Sequence, residues 1–170
     1  MMMKYIKLFV VSLLILTVTF GQNSLAKLVE TEGQVTLKLA GDLSYSTFPA
    51  KDATINSGDA IKTGNNSYAE LKFSGDASSV KIYQNSELGI SEHYSSRRLS
   101  LKKGQILADI FPDITTSYSL ETPNSMVAFD RAKFSANVEG QEKISVITGE
   151  MEITNLATGE KKLISDGKSK

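Results

Sequence analysis

The sequence predicts an all-β domain of short antiparallel strands, elongated and partly solenoid-like or sandwich-like, and three observations carry that expectation. Apolar residues recur at every second position through most of the chain. Clusters of Gly, Asn, Asp and Ser break these runs at close intervals. Beyond the N-terminal segment, no window long enough for a stable helix carries a helical period.

The clearest element lies between Ile55 and Phe73. After Asn65-Asn66, the apolar Ala69, Leu71 and Phe73 alternate with Tyr68, Glu70 and Lys72, the signature of a half-buried strand. Ser57-Gly58-Asp59 and Thr63-Gly64-Asn65 precede it as corners, because Gly and Asn tolerate positive φ while Ser, Thr and Asp bond their own backbone. Upstream, Val35, Leu37 and Leu39 alternate with Thr36 and Lys38, and a first strand pair is expected to turn at Glu32-Gly33. Residues 40–53 contain Gly, Ser and Pro and read as a loop, with Leu43, Tyr45 and Phe48 as lids over the core.

Downstream, Val80 and Ile82, then Leu88 and Ile90, continue the alternation, and the polar run Ser91 to Arg98 reads as a hairpin tip. Leu99 and Leu101, then Ile106, Ala108 and Ile110, form the next strands; Pro112 ends them because it has no amide hydrogen for a ladder. Tyr118 and Leu120, Met126 to Phe129, Phe134 to Val138, Ile144 and Val146, Met151 and Ile153, and Lys161 to Ile164 complete the set. A turn at Thr148-Gly149-Glu150 is expected to separate the strand of Ile144 from that of Met151.

One echo stands out. Leu99-Ser-Leu-Lys-Lys-Gly104-Gln-Ile106 and Ile144-Ser-Val-Ile-Thr-Gly149-Glu-Met151 place apolar residues five and three before a glycine and a Gln or Glu after it, with a weaker copy at Gly33-Gln34-Val35. Either hairpins share a turn chemistry, or successive rungs of a coiled sheet stack on one another.

At the N-terminus, Lys4 and Lys7 precede thirteen apolar-biased residues from Leu8 to Phe20, and Ser24-Leu25-Ala26 puts small residues where a secretory signal peptide is cut. The expected organisation is a signal peptide over residues 1–26 and one domain over 27–170, in a periplasmic or secreted location. The apolar run falls short of the roughly 20 residues needed to span a bilayer. Removing Lys4 and Lys7 takes the basic count from 19 to 17 against 19 acidic residues, a net charge of −2 that offers nucleic acid no attraction. The chain has no cysteine, which excludes disulfides and thiolate metal sites. Packing alone must hold the domain.

The order of these features is itself informative. Gly33-Gln-Val35, then Ile55-x-x-Gly58-Asp59-x-Ile61-x-Thr63-Gly64-x-x-Ser67-x-Ala69-x-Leu71, then Val80-x-Ile82, Leu88-x-Ile90 and Leu99-x-Leu101-x-x-Gly104-Gln-Ile106, resembles the FecR-like domain of bacterial envelope proteins. Thr122-Pro123, Phe134-x-Ala136-x-Val138 and Val146-x-x-Gly149-x-Met151 continue the match. The resemblance implies an exported, non-enzymatic all-β domain with a role in sensing or scaffolding; founding members couple an outer-membrane receptor to a cytoplasmic sigma factor. This chain lacks the cytoplasmic helical segment of those members, so direct control of a sigma factor is not expected. It also carries Arg131-Ala132 where the family usually has a Gly-Thr pair.

Side-chain chemistry offers little catalysis. His93 is the one histidine, so a zinc site or a Ser-His-Asp triad would have to use it, and no Gly-x-Ser-x-Gly elbow presents a serine. Ser78-x-x-Lys81 has the spacing of a penicillin-binding nucleophile but sits in strand alternation rather than at a helix start. Glu121 and Asp130 are a conceivable glycosidase pair, and the corner Asp and Asn residues do not follow a calcium-loop spacing. No catalytic residue, metal or cofactor is expected. The expected partner is an envelope protein or a cell-wall polymer, bound through His93, Tyr94, Arg97 and Arg98 at the hairpin tip, or through Tyr45 and Phe48 in the early loop, since arginine and aromatic rings are enriched at recognition hot spots. The alternative is a carbohydrate-binding module for peptidoglycan or exopolysaccharide; a small hydrolase is a distant third.

Overall fold

A computed structural model describes residues 24–50 and 52–167. Among these residues the chain forms fourteen strands and no helix. They are β1 (Ala26–Glu32), β2 (Val35–Lys38), β3 (Thr54–Ile55), β4 (Ala60–Thr63), β5 (Tyr68–Phe73), β6 (Ser79–Ile82) and β7 (Glu87–His93), followed by β8 (Ser96–Lys103), β9 (Gln105–Ile110), β10 (Ser117–Glu121), β11 (Ser125–Phe129), β12 (Ala132–Asn137), β13 (Lys143–Asn155) and β14 (Lys161–Ser165).

The strands follow the order β2-β4-β7-β8-β10-β11-β13-β12-β9-β6-β5-β1-β3, with β14 on the side of β13. This single path folds back on itself at β13. The first half of β13 pairs with β12, and its second half pairs with β11 and β14. One layer therefore contains β3, β1, β5, β6, β9, β12 and the start of β13; the other contains β2, β4, β7, β8, β10, β11, the end of β13 and β14. Their inward residues, such as Leu71, Val80, Ile106 and Phe134 from one layer and Ile61, Leu88, Leu99 and Val127 from the other, form one buried cluster. Phe129 meets Phe134 across it with ring centroids 5.0 Å apart.

The alternation places the core correctly except at Leu39, which lies past the end of β2 and is exposed, and three connections differ from expectation. The Glu32-Gly33 corner does not close a hairpin: β1 pairs with β3 and β5, whereas β2 pairs with β4 in the other layer. Gly149 does not separate two strands either; β13 runs through it and changes layer there. Finally, β8 and β10 are parallel, an exception to the antiparallel rule, because β9 leaves for the opposite layer between them. The echoed glycines are thus points of crossing between layers, which is the coiled-sheet explanation and not the hairpin one.

The crossings differ in place. Along one edge, called here the corner edge, the chain changes layer at Gly33, at Asn65 to Ser67, at Asn85-Ser86 and at Gly104. These corners pack in pairs. Gly33 has φ +71° and Gly104 has φ +83°, and a Cβ on either would overlap Ser67 or Ser86. The same serines accept the next amide: Gln34 N–H donates to Ser67 Oγ at 2.8 Å and Gln105 N–H to Ser86 Oγ at 2.9 Å. Along the opposite edge, the tip edge, the chain crosses at residues 111–116, at Asp130-Arg131 and within β13 at Gly149.

Residues 40–50 and 52–53 are loop apart from one bridge between Leu37 and Thr47. Leu43 and Phe48 are exposed rather than lids, because inward residues of β2 and β4 already close the core beneath. Residues 1–23 of the expected signal peptide lie outside the described residues. Leu25 and Ala26, its expected last residues, are buried at the start of β1, where Leu25 N–H donates to Ile55 O and Ser74 N–H to Leu25 O.

Candidate functional site: the tip edge

The β7–β8 hairpin closes between His93 and Ser96, which face each other, so Tyr94 and Ser95 form its turn. Tyr94 has φ +54° and is 89% exposed. A bulky aromatic residue in the left-handed region carries a conformational cost that Asn or Gly would avoid, and such outliers cluster at functional positions. Its ring rests edge-on against His93, with centroids 4.3 Å apart. Both rings face solvent at the end of the hairpin.

Arg97 lies one turn of alternation inward, and the expectation that it stands at the surface is corrected. It occupies an inward position of β8 and is 8% exposed. Its guanidinium donates to Asp76 Oδ2 at 2.8 Å, to Glu92 Oε2 at 2.5 Å, to Tyr118 OH at 2.7 Å and to Ser74 O at 2.8 Å. The Phe73 and Tyr118 rings flank it, 5.4 and 5.6 Å from their centroids. Burial alone would lower the Arg97 pKa, but the bonds to Glu92, Tyr118 and Asp76 outweigh it and hold the pKa above its ordinary value. Burial likewise raises the Tyr118 phenol. Arg97 therefore ties the β5–β6 turn to the hairpin that carries Tyr94. Arg98 points to the outer face, half-exposed, 3.4 Å from Glu121.

A second loop joins this edge. Ser117 N–H donates to Ser95 O, so β10 starts beside the turn of Tyr94, and residues 111–116 approach from the same side. Asp113 Oδ1 accepts from the amides of Thr115 and Thr116, which fixes the loop with Ile114 fully exposed. The Thr116 and Thr115 hydrogen bonds hold the Asp113 carboxyl below the usual carboxylate range. Phe111 is half-exposed and stacks under Arg131, whose guanidinium is 3.5 Å from the ring centroid. Sequence reasoning missed Phe111, Ile114 and Arg131 because only the layer crossing brings residues 111–116 to the edge that carries Ser95 and sets Arg131 over Phe111.

The early loop is a separate place. Tyr45 is half-buried between Lys38 and Lys62, whose ammonium groups lie 5.8 and 5.6 Å from its ring centroid. No hydrogen bond of standard geometry satisfies its buried hydroxyl, and burial together with the Glu87 carboxylate raises its pKa. Phe48 shares with it a groove of about 370 Å³ floored by Gln34, Thr36 and Gly64.

Of the catalytic possibilities, Ser78 is buried and its Oγ accepts from Phe111 N–H, while Lys81 pairs with Glu70. Glu121 and Asp130 stand at opposite ends of the β10–β11 hairpin rather than across a cleft. Among the described residues no group of three His, Asp or Glu side chains is placed to hold a metal.

The family model described as FecR protein matches residues 59–152. The chain belongs to the FecR family. The matched span begins at Asp59, whose carboxylate accepts from the amides of Ala40 and Asn56 at 2.8 Å each, and ends in β13. Two crystal structures of a candidate anti-sigma factor from Parabacteroides distasonis are similar to this FecR-family chain, at 14% and 13% identity and with a TM-score of 0.50 in each case. Each alignment covers 64% of this chain and 60% of the other, and it establishes a shared fold. A comparison with curated proteins finds no match. Among the described residues no helix is long and apolar enough to cross a membrane.

Proposed function

We propose that this FecR-family chain is an exported, non-enzymatic module of the bacterial cell envelope that senses or scaffolds by binding a partner protein through its tip edge. The observation that carries this reading is Tyr94, a strained and exposed ring held in place by a buried arginine cluster. On the same edge, in the loop that leads into β10 beside Ser95, lie Ile114, Phe111 and, over Phe111, the guanidinium of Arg131, a mixture of apolar area and arginine typical of interface cores. The likeness to an anti-sigma factor fold and the family membership support a regulatory role, and the N-terminal charge and apolar pattern support export.

The test uses Tyr94→Asn, which keeps the turn because Asn tolerates positive φ. Wild-type protein is expected to retain a defined partner from envelope extract, and Tyr94→Asn to lose it. A Thr158→Ala variant in the β13–β14 turn, remote from the tip edge, serves as control. Identical partner sets for all three proteins would remove the tip edge from consideration.

A further inference from the structure

The corner edge carries an arrangement that the tip-edge reading does not use. On the outer face of the β1, β5, β6 and β9 layer, Glu32 faces Tyr68, and the β5–β6 register extended by one residue sets Tyr68 opposite Tyr83. The β6–β9 register, extended likewise, sets Tyr83 opposite Gln105. Carboxylate, phenol, phenol and amide thus lie in one row at right angles to the strands. The row lines an open groove of about 510 Å³, a volume within the range of small-ligand sites. Gln84 and Glu139 border the same groove.

The row is rigid where it needs to be. Tyr68 OH donates to Glu70 at 2.8 Å, and the Lys81 ammonium lies 6.0 Å from its ring centroid. The backbone under Tyr83 is clamped on both sides, with its N–H donating to Gln105 O and its carbonyl accepting from Thr63 Oγ1. Gln84 Oε1 accepts from Asn66 N–H, which fixes that amide too. The Tyr83 ring itself remains exposed.

We infer that this groove binds a linear, uncharged oligosaccharide lying along the row. Successive residues of the row are one strand apart, about 4.8 Å, a spacing close to the length of one pyranose unit. Phenol rings offer flat apolar faces to the C–H side of a sugar, while carboxylates accept and amides both donate and accept from its hydroxyls. Glu32 and Glu139 disfavour acidic polymers such as uronates. Ring and amide positions preset by the backbone reduce the entropy lost on binding. The inference is independent of the tip-edge proposal, since the two surfaces lie at opposite ends of the strands.

The experiment is an NMR titration of the folded chain with cellotetraose and with chitotetraose, with an alginate tetrasaccharide and a basic peptide as competitors. At least one neutral sugar is expected to shift the resonances of Tyr68, Tyr83 and Gln105, and Tyr83→Ala to weaken it by about tenfold or more. Tyr83→Phe should keep the affinity, which separates loss of the ring from loss of fold, and Tyr94→Asn should leave it unchanged. The inference is overturned if neither neutral sugar binds, if alginate or the basic peptide binds as well or better, or if Tyr83→Ala has no effect.

Discussion

The two edges of this molecule solve the same problem, carrying the chain from one layer to the other, by different means. At the corner edge the solution is local. Gly33 nests on Ser67 and Gly104 on Ser86, and each serine hydroxyl takes the amide that follows the glycine. Main-chain bonds then join the corners into a column: Gly64 N–H to Gln34 O, Asn85 N–H to Gly64 O, Tyr83 N–H to Gln105 O and Val138 N–H to Gly104 O. At the tip edge a single guanidinium bonds groups that are 5, 21 and 23 residues away in sequence. The difference teaches that repeated backbone geometry builds the rigid side of the domain, whereas one buried charge organises the side that presents Tyr94.

Removing that charge should have the largest effect. Arg97→Met leaves Asp76, whose side chain is 2% exposed, without its ion pair, and breaking a buried pair costs about 3–5 kcal/mol. Urea unfolding should show the loss, and the double variant Arg97→Met, Asp76→Leu should recover most of it. An equally stable Arg97→Met would break the contrast between the edges. Next comes Gly104→Ala, in which positive φ and overlap with Ser86 together cost about 2–5 kcal/mol. Gly41→Ala, also at positive φ but with no atom within 4 Å of the added methyl, should cost only about 1 kcal/mol, which isolates the close approach from the strain.

Smaller effects sharpen the comparison. A chain starting at Lys27 lacks Leu25, which is 4% exposed, and should be about 2 kcal/mol less stable than one starting at Ser24. Mass spectrometry of the protein recovered from its host would show which residue it starts at. The raised Tyr118 pKa predicts an alkaline limit. Unfolded tyrosine ionises near pH 10 while the buried phenol stays protonated, so this contribution is complete below that pH and is lost as pH rises above it. Tyr118→Phe should flatten the fall in the urea midpoint above about pH 10, whatever its effect at neutral pH. Last, Tyr94→Asn should gain up to about 1 kcal/mol by relieving the positive φ while forfeiting the partner.

What the sequence disclosed follows the same division. Alternation named nearly every inward residue, because a strand in a two-layer body must bury one face whatever its neighbours are. The glycine echo was visible because close approach and positive φ admit no other residue at Gly33 and Gly104. Strand partners were not legible: the same Gly-Gln signal serves a hairpin or a crossing, and only the layer it enters decides. Arg97 was misplaced for a related reason. An arginine at an inward position in a polar run looks like a surface residue until Asp76 and Tyr118 arrive from distant parts of the chain. The row of Tyr68, Tyr83 and Gln105 depended on the registers of three strands and left no trace in any one of them.

The long strand β13 has a consequence for the order of events when the protein first forms. It is the only described strand that belongs to both layers, and it comes late, from Lys143 to Asn155. Until it has emerged, β11 and β12 each have a bare edge, and no strand is shared between the two layers at that end. A nascent polypeptide of this design stays unlatched through most of its synthesis, and products stopped before β13 should be proteolysed or captured by chaperones rather than accumulate as smaller folded domains.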